Sequence, residues 1–261
     1  MDILEKIVKS KKQELHLKKS VVSVNSLENS KLFQRKTVSM VRALKNSASG
    51  IIAEHKRRSP SKAVINQNLS VSEIVKAYEN AGVSGISVLT DGQYFGGSLD
   101  DLLLARASVT TPLLRKEFII DEYQLIEARS YGADTILLIA AILEREEIKN
   151  LSELAKSLEM EVLLEVHNRE ELNKSIMPTL DMIGVNNRNL KSFEVDLKTS
   201  YDLSKEIPSE FIKVSESGIS SINAIKNLKT AGFEGFLIGE NFMRTTNPGE
   251  SALEFIKDLS K

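Results

Sequence analysis

The 261-residue chain contains no cysteine, which excludes disulfide staples and thiolates as nucleophiles or metal ligands. Its three histidines, His16, His55 and His167, stand too far apart in sequence to form a metal motif, so no metal site is expected. No apolar run approaches the ~18 residues needed to span a bilayer. The opening segment MDILEKIVKSKKQELHLKK sets lysines among its apolar residues where a secretory signal would have an unbroken apolar block. A cytoplasmic protein with no membrane partner is the expectation. Neither sign of charge is in excess: 35 Lys and Arg face 36 Asp and Glu, which removes the general electrostatic case for nucleic acid. Any attraction for an anion must be local. The GxGxxG and P-loop patterns are also missing, so no dinucleotide or nucleoside triphosphate site is indicated.

What is present is a regular alternation. Eight apolar runs follow residue 48: SGIIAE (49–54), GISVLT (85–90), TPLLRKEF (111–118), ADTILLIA (133–140), EVLLEV (161–166), DMIGVNN (181–187), FIKVSES (211–217) and EGFLIGE (234–240). Short Ile/Val/Leu runs bounded by Gly, Pro, Asp or Asn are expected of strands buried on both faces. Amphipathic segments separate them. One of these puts Val71, Ile74, Val75 and Tyr78 on one face before a C-capping Gly82. Another begins at a candidate N-cap, Asp121, and ends at Gly132. Eight β-loop-α units within this length predict an α/β fold, a (β/α)8 TIM barrel, with a doubly wound sheet as the alternative. Residues 1–47 read as an N-terminal helical extension packed on the barrel, and 48–261 as a single barrel domain. The Lys-rich helix of the extension reads as a solvated face.

In a barrel, the C-terminal strand ends face the active site, so charges there carry chemical information. Glu54 and Lys56 are two apart and share one side of strand 1, whereas His55 and Arg57 point away. Strand 3 ends in Arg115-Lys116-Glu117-Phe118, strand 5 in Glu165-Val166-His167, strand 6 in Asn186-Asn187-Arg188 and strand 7 in Glu216-Ser217-Gly218. Glu54, Lys56, Lys116 and Glu165 come from three strands and meet only inside the mouth, where crowding shifts acidities toward proton transfer. Gly218 and Gly239, in the turns after strands 7 and 8, stand where barrels commonly bind a phosphate through main-chain N–H groups. The loop Asp91–Ser98 carries three glycines and the pair Tyr94-Phe95, suited to walling a flat ring.

The series EHKRRSPS (54–61), YFGGS (94–98), LLRKEF (113–118), ADTILLI (133–139), LLEVH (163–167), IGVNNRNL (183–190), VSESGIS (214–220) and FLIGENFMR (236–244) resembles the indole-3-glycerol phosphate synthase family, in order through all eight strands. The resemblance covers essentially the whole chain, and the N-terminal segment resembles the extra helices this family places before its barrel. It implies conversion of 1-(2-carboxyphenylamino)-1-deoxyribulose 5-phosphate, a small phosphosugar, to indole-3-glycerol phosphate in tryptophan biosynthesis, with loss of CO2 and water and no cofactor. It also implies Lys116 as the acid of ring closure, and Glu165, Glu54 and Lys56 for the acid and base duties of dehydration. The division of these duties stays open. Lys56 is placed to pair with the anthranilate carboxylate, Asn186 and Arg188 to position the intermediate, and Phe95 and Leu137 to flank the ring. Lys56, Ser59, Gly218, Gly239 and Glu240 match the phosphate contacts, and Glu216 and Ser217 a substrate-contacting strand end. A monomer is expected, with a partner enzyme of the same pathway left open.

Three positions depart from the family pattern: Glu117 where Asp is frequent, Ala63 where Gly is common, and Glu240 where Ser is frequent. A Glu240 carboxylate aimed at a phosphate would repel it, so its contribution is expected from the main-chain N–H. Arg57 and Arg58 are assigned to the outer electrostatics of the first loop. Two rival readings are a phosphoribosylanthranilate isomerase, disfavoured because its acid-base pair uses a cysteine, and a silent barrel used as a scaffold. The joint presence of Glu54, Lys56, Lys116 and Glu165 weighs against the second.

Overall fold

The computed structural model describes residues 2–67, 69–190 and 192–261; Met1, the first residue of the N-terminal segment, lies outside them. Three helices, α1 (Ile3–Val21), α2 (Val24–Glu28) and α3 (Met40–Lys45), precede the first strand. Strands β1 (Ile51–His55), β2 (Gly85–Leu89), β3 (Leu113–Lys116), β4 (Thr135–Ile139), β5 (Glu161–Val166), β6 (Met182–Asn186), β7 (Ile212–Glu216) and β8 (Gly235–Ile238) all pair in parallel. β1 also pairs with β8, in the register Ile51 to Phe236, so the sheet closes on itself in sequence order as a (β/α)8 barrel.

The connecting helices are α4 (Val71–Ala81), α5 (Leu99–Ser108), α6 (Glu122–Ser130), α7 (Arg145–Ser157), α8 (Arg169–Ser175), α9 (Lys198–Ser204), α10 (Ile222–Thr230), and the pair α11 (Glu240–Met243) and α12 (Pro248–Leu259). Local chemistry fixes their ends. Ser70 and Glu73 form a reciprocal capping box at the start of α4, and Gly82 closes that helix at φ +82°, a conformation costly for residues with a Cβ. Asp121 caps α6 by accepting from the Tyr123 amide.

Strand alternation divides the apolar residues into two layers. Ile52, Leu114, Leu137, Leu163, Met182, Val214 and Leu237 fill the barrel interior. Ile51, Ala53, Val88, Ile136, Leu164 and Phe236 face the surrounding helices. The interior rows determine what reaches the mouth: Ile52-Glu54-Lys56, Leu114-Lys116, Leu163-Glu165, Met182-Gly184-Asn186 and Val214-Glu216 each pass from apolar to polar at the C-terminal end.

The N-terminal segment contacts both ends of the barrel. Met40 and Leu44 of α3 join the interior cluster, and a Cβ at Gly85 would lie 2.1 Å from the Met40 sulfur. α1 buries Ile7, Lys11 and Leu15, a stripe at i, i+4 and i+8. This corrects the solvated reading of that helix. Lys6, Lys9, Lys12 and Lys19 are exposed, but Lys11 is 2% exposed and pairs with Glu14 at 2.7 Å and with Asp91 and Glu117 at 3.2 Å each.

Candidate active site

The interior rows end at a cavity of about 350 Å³ in the C-terminal mouth. It is lined by Glu54, Lys56, Lys116, Glu165 and Asn186, together with Ser59, Phe95, Leu137, Arg188, Glu216, Ser217, Gly218, Gly239 and Glu240, whereas Tyr94, expected to wall the ring with Phe95, does not line it and lies against Ser10. The charged groups are interlocked. The Lys116 ammonium lies 3.2 Å from Glu165 Oε2 and 3.6 Å from Glu216 Oε2. Lys56 Nζ lies 2.7 Å from Glu54 Oε1, while Ser87 Oγ donates to Glu54 Oε2 at 3.4 Å. Asn186 Nδ2 donates to Glu165 Oε1 at 3.2 Å, and Asn186 Oδ1 accepts from the Arg188 amide at 3.0 Å.

Three buried carboxylates with unequal partners acquire unequal acidities. Burial alone would raise Glu165, but Lys116, His167 and the Asn186 amide overcome it and hold the carboxyl down at about 2. Glu54 is likewise buried, and Lys56 and Lys116 keep it below the usual carboxylate range. Glu216 has the opposite balance. Burial, with the charges of Glu165 and Glu54, outweighs Lys116 and pushes it up to about 8, and its Oε1 has no hydrogen-bond partner. Lys116, desolvated yet facing Glu165, Glu216 and Glu54, is held above the ordinary lysine range. The cluster thus sets two carboxyls held low and an amine held high beside one carboxyl pushed up.

The glycines have separate causes. Ser217 and Gly218 take consecutive left-handed conformations, φ +65° and +78°, and for Ser217 this stores about 1 kcal/mol or more of strain. Asn187 holds that turn, donating to Ser215 Oγ, Glu216 O and Ser217 O at 3.0, 2.9 and 3.2 Å. A Cβ on Gly218 would also lie 2.3 Å from Val195 Cγ1. Gly239 needs no unusual backbone. Its constraint is the Glu54 carboxylate, 2.6 Å from where a Cβ would stand. Gly184 plays the same part for Glu216, at 2.1 Å.

Some participants escaped the sequence reading. Ile3, Leu4 and Ile7 of α1 line the cavity, and Phe118 packs near Phe95 with ring centroids 5.9 Å apart. The Ile7-Lys11-Leu15 spacing was the available signal for the helix, and the alternation Leu114-Lys116-Phe118 for the ring. Arg57 and Arg58 are not free outer charges. Arg57 grips Asp101 of α5 with both Nη atoms, at 2.5 and 2.8 Å, and donates to the Gly96 carbonyl at 3.0 Å, while Arg58 donates to the carbonyls of Gly92 and Gln93, so both tie the β1 loop to the β2 loop and Arg57 also to α5. Glu240 is turned to Lys62, 3.1 Å away, in a half-exposed pair.

Comparison with known proteins accords with this geometry. The family model described as Indole-3-glycerol phosphate synthase matches residues 4–255. A protein of that name from Bacteroides thetaiotaomicron is 50% identical over 258 residues, covering 99% of both chains, and one from Campylobacter fetus is 44% identical over 98% of both. Among solved structures, 3-hexulose-6-phosphate synthase from Salmonella typhimurium (TM-score 0.63, 11% identity) and a tryptophan synthase alpha-subunit mutant from Pyrococcus furiosus (TM-score 0.62, 16% identity) each cover 81% of this chain and 98% of their own, and show the shared barrel. Family model and relatives agree: the chain belongs to the indole-3-glycerol phosphate synthase family.

Proposed function

We propose that the chain carries out its family's reaction with the Lys116–Glu165–Glu216 cluster as the centre of proton transfer. The observation that carries this reading is one ammonium set between two carboxyl groups of opposite protonation state. Ring closure needs a proton delivered to the ribulose carbonyl oxygen as the aromatic carbon attacks, and Lys116 is charged and central in the cavity. Loss of CO2 restores neutrality to the ring nitrogen. Dehydration then needs a base for the carbon-bound proton, for which the ionised Glu165 is suited, and an acid for the leaving hydroxyl. Lys56 and the protonated Glu216 are the candidates for that acid, with Glu54 holding Lys56 in place.

In this reading the substrate carboxylate faces Lys56, and Arg188 and Asn186 orient the intermediate. Phe95, Phe118 and Leu137 sandwich the ring, a task for which α1 supplies Ile3, Leu4 and Ile7. The phosphate sits against the Ser217-Gly218 turn, the main-chain N–H groups after Gly239 and the Ser59 hydroxyl, with Glu240 contributing through its backbone alone. Residues 1–47 act as an extension that completes the site of the 48–261 barrel. The protein works as a cytoplasmic monomer on a small phosphosugar, without nucleic acid or membrane. The purified chain is expected to turn the carboxyphenylamino-deoxyribulose phosphate into a product with indole absorption and fluorescence, in the presence of a chelator. A complete lack of turnover between about pH 6 and 9 would overturn the reading.

A further inference from the structure

The proposed reaction does not conserve protons. The substrate brings an ionised carboxylate, whose C–C bond breaks to release CO2 and leave its electron pair in the ring, and the departing hydroxyl leaves as water. The balance is carboxylate substrate plus one proton giving product, CO2 and water. Each turnover must therefore import one proton, while the substrate fills the mouth above Glu165, a group only 3% exposed.

A route reaches Glu165 from its other side. His167 follows it by two residues on the same face of the chain, and His167 Nε2 lies 3.4 Å from Glu165 Oε1 without a hydrogen-bond partner. The ring's other nitrogen, Nδ1, lies 3.1 Å from Glu171 Oε2, which also accepts from the His167 amide at 2.8 Å. His167 and Glu171 both line a second cavity of about 750 Å³, which adjoins the first along Ile3, Leu4, Asn186, Arg188 and Leu190. His167 does not line the first cavity at all. Its imidazole thus bridges a buried carboxylate to a space outside the cavity that holds the Lys116 cluster.

We propose that His167, held by Glu171, relays the proton consumed in each turnover from the second cavity to Glu165. A proton taken up at Nδ1 makes the imidazolium, Nε2–H is released to Glu165 Oε1, and Glu165 returns the proton through Oε2 to Lys116 after Lys116 has donated its own; the ring, left as the Nδ1–H tautomer, then turns over to present an N–H to Glu165 again before the next turnover. His167 is a positioning and relay residue, since it acts through Glu165.

The charged groups facing the ring are Glu165 on β5, Glu171 on α8 and Glu216 on β7. Burial opposes its charge, but these carboxylates outweigh burial and raise the imidazole above its ordinary value. Arg169, Lys198, Asp196, Asp202 and Glu206 share with it a smaller cavity of about 300 Å³, and Lys174, Glu170, Asp2, Arg188, Glu194 and Asp196 the larger one.

The inference rests on Glu165 as the proposed base, and the test separates the two. For His167→Gln we expect kcat about tenfold lower with KM within about twofold, an enlarged solvent isotope effect, and partial recovery with added imidazole. The wild-type enzyme loses rate on the alkaline side as the imidazolium is lost; in His167→Gln that contribution disappears and only the limb set by the Glu216 carboxyl stays. Glu171→Gln, which keeps an acceptor for the His167 amide, moves the limb to lower pH and serves as the readout if His167→Gln does not fold. A wild-type limb, isotope effect and kcat in either folded variant overturns the relay. Full activity in Glu165→Gln would instead overturn the base assignment beneath it.

Discussion

Both ends of the barrel bury carboxylates, and they treat them differently. At the N-terminal end Asp134 is wholly buried and fully paired: Arg35 and Arg106 reach it at 2.6 and 2.8 Å, and the Val38 and Leu113 amides donate at 2.8 Å each. Glu161, beside it, accepts from Ser39 Oγ and from the Met40 and Val41 amides, so the segment 35–41 is fastened to the barrel floor. At the C-terminal end Glu216 is equally buried, yet one oxygen is unpartnered and the carboxyl stays protonated to about pH 8. Burial sets the cost in both places; the number of donors decides whether the group is a fastening or a reagent.

Four substitutions test that contrast. Lys116→Met removes the hub of the upper cluster and is expected to lower kcat by about 10²–10⁴-fold with little change in KM, read in steady-state kinetics. Unchanged turnover would move the acid elsewhere. Asp134→Asn removes the charge partner of the buried Arg106 and of the partly exposed Arg35 below, and is expected to cost about 3–5 kcal/mol in denaturant unfolding while the folded fraction keeps near-normal kcat. A selective loss of kcat would mean that the two ends are not independent.

Glu216→Gln tests the sign of the strain. The folded carboxyl titrates at about 8, and the unfolded one at about 4.3. Between those values the native state holds the extra proton, so Glu216 makes stability fall as pH rises through that window. The amide is expected to flatten the slope and raise Tm by about 2–5 °C at pH 8, while lowering kcat. A steeper slope would show that the carboxyl is ionised when folded. The smallest effect is expected for Glu240→Gln: a half-exposed pair contributes about 0–1 kcal/mol, so both Tm and KM should barely change. A large drop in KM would show the carboxylate opposing the phosphate.

The strands and their mouth residues were legible because both follow from one local rule. A run such as Leu163-Leu164-Glu165 shows its face and its end without reference to any neighbour. The fastenings were not legible, because they join residues far apart in the chain: Arg35 to Asp134, Lys11 to Glu117, Met40 to Gly85. Lys11 on α1 looked like its exposed neighbours Lys9 and Lys12, and only the carboxylates of the β2 and β3 loops distinguish it. Gly239 was expected for a phosphate and is also required by Glu54, a demand that no reading of its own loop could supply.

The pairing of β1 with β8 sets a schedule for biosynthesis. The strand Ile51–His55 leaves the ribosome roughly 180 residues before Gly235–Ile238 can cover its open side. At about 5–20 residues per second this edge is without its mate for about 10–40 s. During that interval an unpaired backbone is a template for other nascent chains, so crowded polysomes are where this protein is most exposed to mispairing.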